Sequence, residues 1–209
     1  MIKKLLEMLA SGADEQQIVL LDPTSLGGTT REPDLRVIGM FCDVHEEKVA
    51  EVIHAMLYLN ETNKLEKDEE KKRPIDFYIS TYGGCADDMF AIYDTMRQVR
   101  EETEIHTIGL GKVMSAGVLI LAAGTPGKRK IGKYCRVMIH SVIAGSHGSL
   151  PNLANEMEAI QQIQEDYIEA LVSETKMTEE DIKNMLERKV NVYLSAEEAV
   201  KLGIADIII

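Results

Sequence analysis

The chemistry that this sequence offers most directly is nucleophilic attack by a serine. Ser115 lies between Gly111 and Gly117 at the predicted start of a helix, and another glycine-rich turn ends at Gly83 and Gly84. Such turns point backbone N–H groups at an anion, which is what an oxyanion hole requires. The alternative is that Ser115 only caps its helix, because serine is a preferred N-cap residue and the segment lacks the G-x-S-x-G pattern of a nucleophile elbow.

A nucleophilic serine needs a general base, and His140 is the best placed of the five histidines. It directly follows the apolar strand predicted over residues 136–139, at the carboxyl edge of the sheet, where the active sites of α/β proteins collect. Ser115 and His140 would then both lie at strand ends of adjacent βα units. The other histidines fall on a predicted helix surface, inside a strand and in a glycine-rich loop: His45, His54, His106 and His147.

The elements that must position these two side chains alternate between strand and helix. This alternation predicts an α/β fold with a largely parallel sheet. The predicted strands cover residues 18–21, 36–41, 75–79, 105–108, 136–139 and 204–209, and the predicted helices include 86–99, 115–123 and a long one over 151–174. Capping-box patterns predict three further helix starts, at Asp43 with Glu46, at Thr178 with Asp181 and at Ser195 with Glu198.

The helix predicted over residues 151–174 carries an apolar stripe broader than a coiled-coil seam. We therefore expect a projecting arm that packs against another subunit. The stripe consists of Leu153, Met157, Ile160, Ile163, Tyr167, Ile168 and Leu171.

The composition excludes several classes of protein. The chain has 209 residues, 45% of them hydrophobic, which is typical of a soluble globular protein, and its net charge of −12 argues against nucleic-acid binding. The longest apolar run, residues 118–123, is far shorter than the ~20 residues that span a bilayer, so no membrane partner is predicted. Cys42, Cys85 and Cys135 form no CxxC pair and favour the reducing cytoplasm. The charge run over residues 60–74 predicts a solvated loop or a frayed helix end.

The motifs, taken in order, resemble those of the Clp protease proteolytic subunit. The segments that carry the resemblance are Gly83-Gly84, Ser115 in its glycine-framed turn, Arg136-Val-Met-Ile-His140 and the terminal stretch from Tyr193 to Asp206. The resemblance implies a crotonase-like spiral of βαβ units, with a single peptidase domain over residues 18–209 and a projecting handle region at about 141–174. Residues 1–17 would form an N-terminal segment that either belongs to an axial region or is propeptide-like.

Carried over onto this sequence, the resemblance implies a serine peptidase site. Ser115 would be the nucleophile and His140 its general base, and the backbone N–H groups of Gly84 and Ala116 would form the oxyanion hole. The family usually has an aspartate where this chain has Asn191. An asparagine can orient the imidazole by accepting its N–H, but it cannot stabilise the imidazolium by charge.

Further departures mark the chain as a divergent member of the family it resembles. Tyr82 stands where a proline is usual, and Ser141-Val142 stands where Gln-Pro is usual. Asp206 is an alternative acid for the triad. The glycine-rich stretch over residues 144–148 would lie beside the substrate and could pair with it as an added strand.

The resemblance also implies partners. The chain would assemble into heptameric rings stacked as a tetradecamer and work with an AAA+ Clp-type unfoldase on unfolded polypeptides. That unfoldase would use the ATP, with no cofactor and no metal in this subunit. Two other functions stay open: a catalytically weak or inactive regulatory ring subunit, which Asn191 favours, and a crotonase-type acyl-CoA enzyme, which needs no Ser–His pair.

Overall fold

The structure, a computed structural model, describes residues 35–187 and 191–209, and seven β-strands of these residues form one mixed sheet. The strands are β1 Val37–Met40, β2 Ile75–Thr81, β3 Ile105–Met114, β4 Lys130–Ile131, β5 Arg136–Ile139, β6 Val192–Leu194 and β7 Ile207–Ile208. Five of them run parallel in the order β1-β2-β3-β4-β7. Strand β5 also pairs with β3 in parallel, and β6 is the antiparallel partner of β5. The predicted α/β architecture is confirmed.

Six α-helices connect these strands in the same described part of the chain. They are α1 Glu46–Leu65, α2 Ala86–Val99, α3 Ala116–Ala122, α4 Leu150–Glu174, α5 Glu179–Glu187 and α6 Ala196–Lys201. Residues Arg36–Ile209 form one compact unit. The strand predicted over residues 18–21 and the N-terminal segment 1–17 lie outside the described residues.

The core follows from the periodicity of the sequence. Strand β2 alternates strictly, with Ile75, Phe77 and Ile79 completely buried. Helix α2 buries one face with helical spacing, at Met89, Ile92, Tyr93, Met96 and Val99. Each fully buried aliphatic, Phe or Met side chain contributes about 1.5–3 kcal/mol of transfer free energy, so this largely aliphatic and methionine-containing core holds sheet and helices together.

Strand β3 connects the two parts of the sheet. Its residues Ile108 and Gly109 pair with β4, whereas residues 112–114 pair with β5. Between them Gly111 has a φ of 66°, a left-handed conformation that glycine adopts without steric penalty. The strand therefore leaves β4, continues along β5 and ends immediately before Ser115.

Two local predictions are wrong. Residues 111–114, predicted as part of a turn, belong to β3, because their pairing with β5 is a tertiary contact that no local pattern reports. Asp43 does not cap α1, which begins at Glu46 with His45 as its N-cap and no side-chain capping bond. The capping boxes at Thr178 with Asp181 and at Ser195 with Glu198 are confirmed.

The long helix α4 is anchored to its own chain near its C-terminal end. Leu150 and Met157 remain 81% and 57% exposed. Its last residue, Glu174, receives two hydrogen bonds of 2.7 and 2.8 Å from the guanidinium of Arg100. The apolar stripe is thus divided, since its C-terminal part packs within the subunit and not against another one. The buried residues of that part are Tyr167, Ile168, Ala170 and Leu171.

The charged segment over residues 60–74 is exposed along most of its length, as predicted, but buried hydrogen bonds hold it to the rest of the fold. Helix α1 continues to Leu65, and the buried Asn63 donates to the carbonyl of Arg73 (2.9 Å) and to the hydroxyl of Thr103 (3.0 Å). These bonds satisfy the buried amide and hold the segment against the start of β3.

The C-terminal segment is fixed by a second arginine. Asp206 accepts hydrogen bonds from Arg129 at 2.6 and 2.8 Å and from the backbone N–H of Gly127 at 2.8 Å. Arg129 also donates to the carbonyl oxygens of Ala122 and Glu174. Burial acts to raise the pKa of Asp206, but the bonds from Arg129 and Gly127 outweigh it and hold the pKa below its usual value.

We expect Asp206→Asn to lower the free energy of unfolding by about 2 kcal/mol, because it leaves the buried guanidinium of Arg129 without its anion. Since the native pKa is depressed, the carboxylate stabilises the fold above the unfolded pKa of about 3.9, and this stabilisation is lost as the pH falls through the folded pKa. Urea denaturation from neutral pH down to about pH 3 measures the difference, with the exposed Asp94→Asn as control. A difference from wild type that stays constant over this range would contradict the prediction.

Candidate active site

Ser115 occupies a strained corner between β3 and α3. Its φ is 54° and its ψ is −123°, and it is the only non-glycine residue with a positive φ in the part of the chain that the structure describes. A residue with a Cβ in such a conformation stores of order 1–3 kcal/mol of strain, which persists only where the surroundings over-determine it. Ser115 stands at the N-cap position, but its side chain makes no capping hydrogen bond. The hydroxyl therefore has no helix-capping role.

The glycine turn after β2 lies directly against this corner. A Cβ on Gly83 would come within 2.6 Å of the Cβ of Ser115, and a Cβ on Gly84 would collide with the backbone of Val44. Val44 holds the turn from the other side, because its N–H donates to Gly83 (2.7 Å) and its carbonyl accepts from Cys85 (3.0 Å). Only glycines fit in this packing.

The backbone N–H groups of Gly84 and Ala116, the predicted oxyanion donors, have no acceptor among the described residues. The Ala116 N–H belongs to the first turn of α3, where no intrahelical acceptor exists. A Cβ on Gly83 would lie only 3.1 Å from the Ala116 nitrogen, so the two turns touch each other. The arrangement fits an acceptor that would arrive with a ligand.

The four residues predicted to form the site, Gly84, Ser115, Ala116 and His140, line one cavity of about 370 Å³, which we call the Ser115 cavity. This volume lies within the range of small-ligand sites. Its walls are Tyr82, Gly84, Cys85, Ala86, Met89, Ser115, Ala116, His140, Ser141, Val142, Ile143, Ile163 and Tyr167. Of the segment after His140, residues 141–143 line the cavity, whereas the glycine-rich residues 144–148 are exposed and not part of its wall.

The pairing of β3 with β5 brings His140 to the serine. The N–H of Ser115 donates to the carbonyl of Met138 at 2.8 Å, and His140 follows two residues later, half-buried at the end of β5. Within the described chain no hydrogen bond joins the Ser115 hydroxyl to the imidazole. Such bonds are often long in the absence of substrate and tighten only in the reacting complex.

Asn191 directly precedes β6, at the end of the β5–β6 pairing that His140 follows. Strands β5 and β6 pair Ile139 with Val192 in antiparallel register, and this is the last pair of the ladder. His140 follows Ile139 and Asn191 precedes Val192, so both residues lie just beyond that pair. The Asn191 side chain is exposed and is not part of the cavity wall.

Asp206, the alternative acid, is committed elsewhere. Both of its carboxylate oxygens accept hydrogen bonds from Arg129, and neither Asp206 nor Arg129 lines the Ser115 cavity. Asp206 is therefore not available to the histidine as a triad acid.

The remaining histidines have ordinary structural surroundings. His106 on β3 lies between two carboxylates, 3.0 Å from Glu104 and 3.5 Å from Asp76. His45 precedes α1, His54 lies on its exposed face, and His147 lies in the exposed loop before α4.

The structure also places residues in the cavity that sequence reasoning missed. Cys85, Met89 and Tyr167 line it, and Tyr167 contacts the serine itself through a hydrogen bond to its carbonyl (3.2 Å). Tyr167 interrupts an otherwise aliphatic helix stripe with a polar hydroxyl. No sequence signal distinguishes it from a residue of a subunit interface, because tyrosine is also enriched at interfaces.

A serine on a strained strand–helix corner that shares a cavity with a histidine is a recurrent design of serine hydrolases. The family model of Clp protease matches residues 31–209. The chain therefore belongs to the Clp protease family, and the crotonase-like architecture expected from the resemblance is the fold of that family.

Curated relatives align with nearly the whole chain. The ATP-dependent Clp protease proteolytic subunit 1 of Prochlorococcus marinus subsp. pastoris is 30% identical over 190 residues, which cover 88% of this chain and 91% of the relative. The ATP-dependent Clp protease proteolytic subunit 3 of Frankia casuarinae is 32% identical over 213 residues, which cover 97% of this chain and 93% of the relative.

The strain at Ser115 is measurable without any substrate. We expect Ser115→Gly to be more stable to urea than Ser115→Ala by about 1 kcal/mol, because glycine relieves the positive φ and alanine keeps it. The gain is smaller than the full strain, since glycine also loses more backbone entropy on folding. Equal stability of the two variants, or a more stable alanine variant, would show that the corner is not strained.

Proposed function

We propose that this chain is a serine endopeptidase subunit of a barrel-shaped, ATP-dependent protease. One observation carries the proposal: the strained, uncapped Ser115 shares its cavity with His140 and with the two unpaired N–H groups of Gly84 and Ala116. A fold gains nothing from strain at a serine that neither caps a helix nor fills the core, whereas a nucleophile needs its hydroxyl presented in this way.

The proposed reaction is acyl transfer. Ser115 Oγ attacks the carbonyl carbon of a peptide bond while His140 accepts the hydroxyl proton, and the oxyanion that forms is bound by the N–H groups of Gly84 and Ala116. His140 then gives the proton to the leaving amine, which breaks the C–N bond. Water hydrolyses the acyl-enzyme by the same proton path in reverse. Asn191 accepts the second N–H of the imidazole and orients the ring.

The assembly and partners belong to the same proposal. The relatives are named as proteolytic subunits of an ATP-dependent protease, and we propose for this chain heptameric rings, a tetradecamer, and an AAA+ unfoldase that uses ATP to deliver unfolded polypeptides. The subunit itself would need no cofactor or metal. The exposed apolar residues of the first half of α4, Leu150 and Met157, are suited to contact another subunit.

We propose a cytoplasmic location. Over residues 35–187 and 191–209, none of the helices combines the length and apolar character that crossing a bilayer requires. The free cysteines Cys42, Cys85 and Cys135 agree with a reducing compartment.

Labelling by a fluorophosphonate tests the nucleophile directly. We expect the wild-type protein to be labelled at Ser115 and to hydrolyse a short fluorogenic peptide, and Ser115→Ala to lose both properties because the attacking oxygen is gone. Ser149→Ala removes an exposed hydroxyl without a capping bond and serves as the matched control. Absence of labelling in the assembled wild-type protein, with and without an unfoldase, would contradict the proposal.

The role of Asn191 is tested by a pair of substitutions. We expect Asn191→Ala to reduce kcat by about a hundredfold or more, because the imidazole loses its orienting acceptor, and Asn191→Asp to maintain or raise kcat by adding charge stabilisation of the imidazolium. Steady-state kinetics on the fluorogenic peptide measures both. Unchanged kcat in both variants would point to a Ser–His dyad.

A regulatory ring subunit of low activity is the second candidate. The observations that favour it are the exposed, neutral Asn191 and the lack of a hydrogen bond from the Ser115 hydroxyl within the described chain. Retention of both Ser115 and His140 opposes it, since an inactive subunit has no need of either. A wild-type protein that assembles into rings but resists the fluorophosphonate would establish this second function.

A further inference from the structure

Helix α4 reaches the catalytic corner through one buried phenol. Tyr167 is 5% exposed, and its Oη donates a hydrogen bond to the carbonyl oxygen of Ser115 at 3.2 Å. Burial raises the pKa of Tyr167 well above its usual value. The hydroxyl therefore stays protonated, so that it remains a donor at any working pH.

The acceptor of this bond is the peptide group that the proposed chemistry uses. The carbonyl of Ser115 and the N–H of Ala116 belong to one planar trans peptide, in which C=O and N–H point in opposite directions. Fixing the carbonyl toward Tyr167 therefore fixes the direction of the Ala116 N–H on the other side. A hydrogen bond to the carbonyl also polarises the peptide and strengthens its N–H as a donor.

The other contacts of Ser115 come from nearer parts of the corner. Its N–H donates to Met138 of β5 at 2.8 Å, and its carbonyl also accepts the N–H of Val118, in the first turn of α3, at 2.9 Å. The bond from Tyr167 joins residues 52 positions apart. It is thus the contact through which α4 contributes to holding the strained conformation.

The same face of α4 contacts the segment that carries the histidine. Gln164, one turn before Tyr167, accepts a hydrogen bond from the N–H of Val142 at 3.3 Å, and Val142 lies two residues after His140. Residues three apart on a helix are neighbours on its surface. One short stretch of α4 therefore contacts the backbone on both sides of the Ser115 cavity.

We propose that Tyr167 is a positioning residue for this site: its hydroxyl orients the peptide between Ser115 and Ala116, and thereby the Ala116 N–H and the serine side chain. The inference rests on the proposed function for its catalytic consequence. The orientation itself is a property of the fold and can be measured without turnover.

Tyr167→Phe removes the hydroxyl and keeps the ring that lines the cavity. Because an oxyanion donor acts in the transition state and not in substrate binding, we expect kcat for the fluorogenic peptide to fall about tenfold to a hundredfold while KM changes less than about twofold. The pH dependence of kcat should keep its shape, because Tyr167 titrates no proton of the reaction.

The matched control is Tyr93→Phe. The hydroxyl of Tyr93 also binds α4, at Ser173 (3.1 Å) and Glu174 (3.2 Å), but it makes no contact with Ser115. We expect this variant to keep wild-type kcat. An equal loss of kcat in both variants would overturn the inference, since it would reflect a general loosening of α4.

Hydrogen exchange supplies the readout that does not depend on activity. Peptides that contain the N–H groups of Ser115 and Val118 should exchange at least about tenfold faster in Tyr167→Phe than in wild type or Tyr93→Phe, because both N–H groups bond at the peptide corner that Tyr167 holds. Unchanged exchange together with unchanged kcat would overturn the inference and leave the proposed function intact. Faster exchange in Tyr167→Phe than in wild type would support the positioning role. If the fluorophosphonate also fails to label Ser115 of the wild-type protein, the proposed function is rejected while the positioning role stands.

Discussion

The site depends on the strained backbone of Ser115, which is held on each side by a different part of the fold. Its N–H is bound by Met138 of β5, and its carbonyl is bound by Val118 of α3 and by Tyr167 of α4. None of these bonds is strong, since a hydrogen bond contributes about 1 kcal/mol net. Together they hold Ser115 in its positive-φ conformation, in which its side chain makes no capping hydrogen bond.

Several features of the fold support the corner at Ser115. Gly111 allows β3 to change partners, so that β3 ends beside β5. Gly83 leaves room for the Cβ of Ser115, and Val44 holds the glycine turn against it. The Arg100 and Glu174 ion pair fixes the end of α4, which determines where Tyr167 can reach. Each of these contacts joins elements that are distant in sequence.

Family membership accounts for the fold of this chain, whereas local contacts account for the surroundings of Asn191 and Asp206. Membership in the Clp protease family, whose model matches residues 31–209, accounts for the α/β fold. The register of β5 with β6 brings Asn191 to the end of the ladder that His140 follows, and the two bonds from Arg129 occupy Asp206. Asp206 and Asn191 differ in what they can still bind. The Asp206 carboxylate pairs with a buried guanidinium, so its oxygens are occupied, whereas the exposed amide of Asn191 keeps its oxygen available as an acceptor.

The sequence by itself predicted most of the longer elements and singled out the two side chains proposed for the chemistry. Periodicity placed α2 at its observed bounds, and the order of Ser115, His140 and the glycine turns was enough to predict residues that share one cavity, because strand ends in α/β sheets meet at one edge. Only the tertiary structure decided that residues 111–114 continue β3, that Asp206 is committed to Arg129, and that Tyr167 binds within its own chain. Pairing partners, ion pairs and hydrogen bonds across 50 or more residues leave no periodic trace in a sequence, since they depend on which surfaces the packed elements bring together.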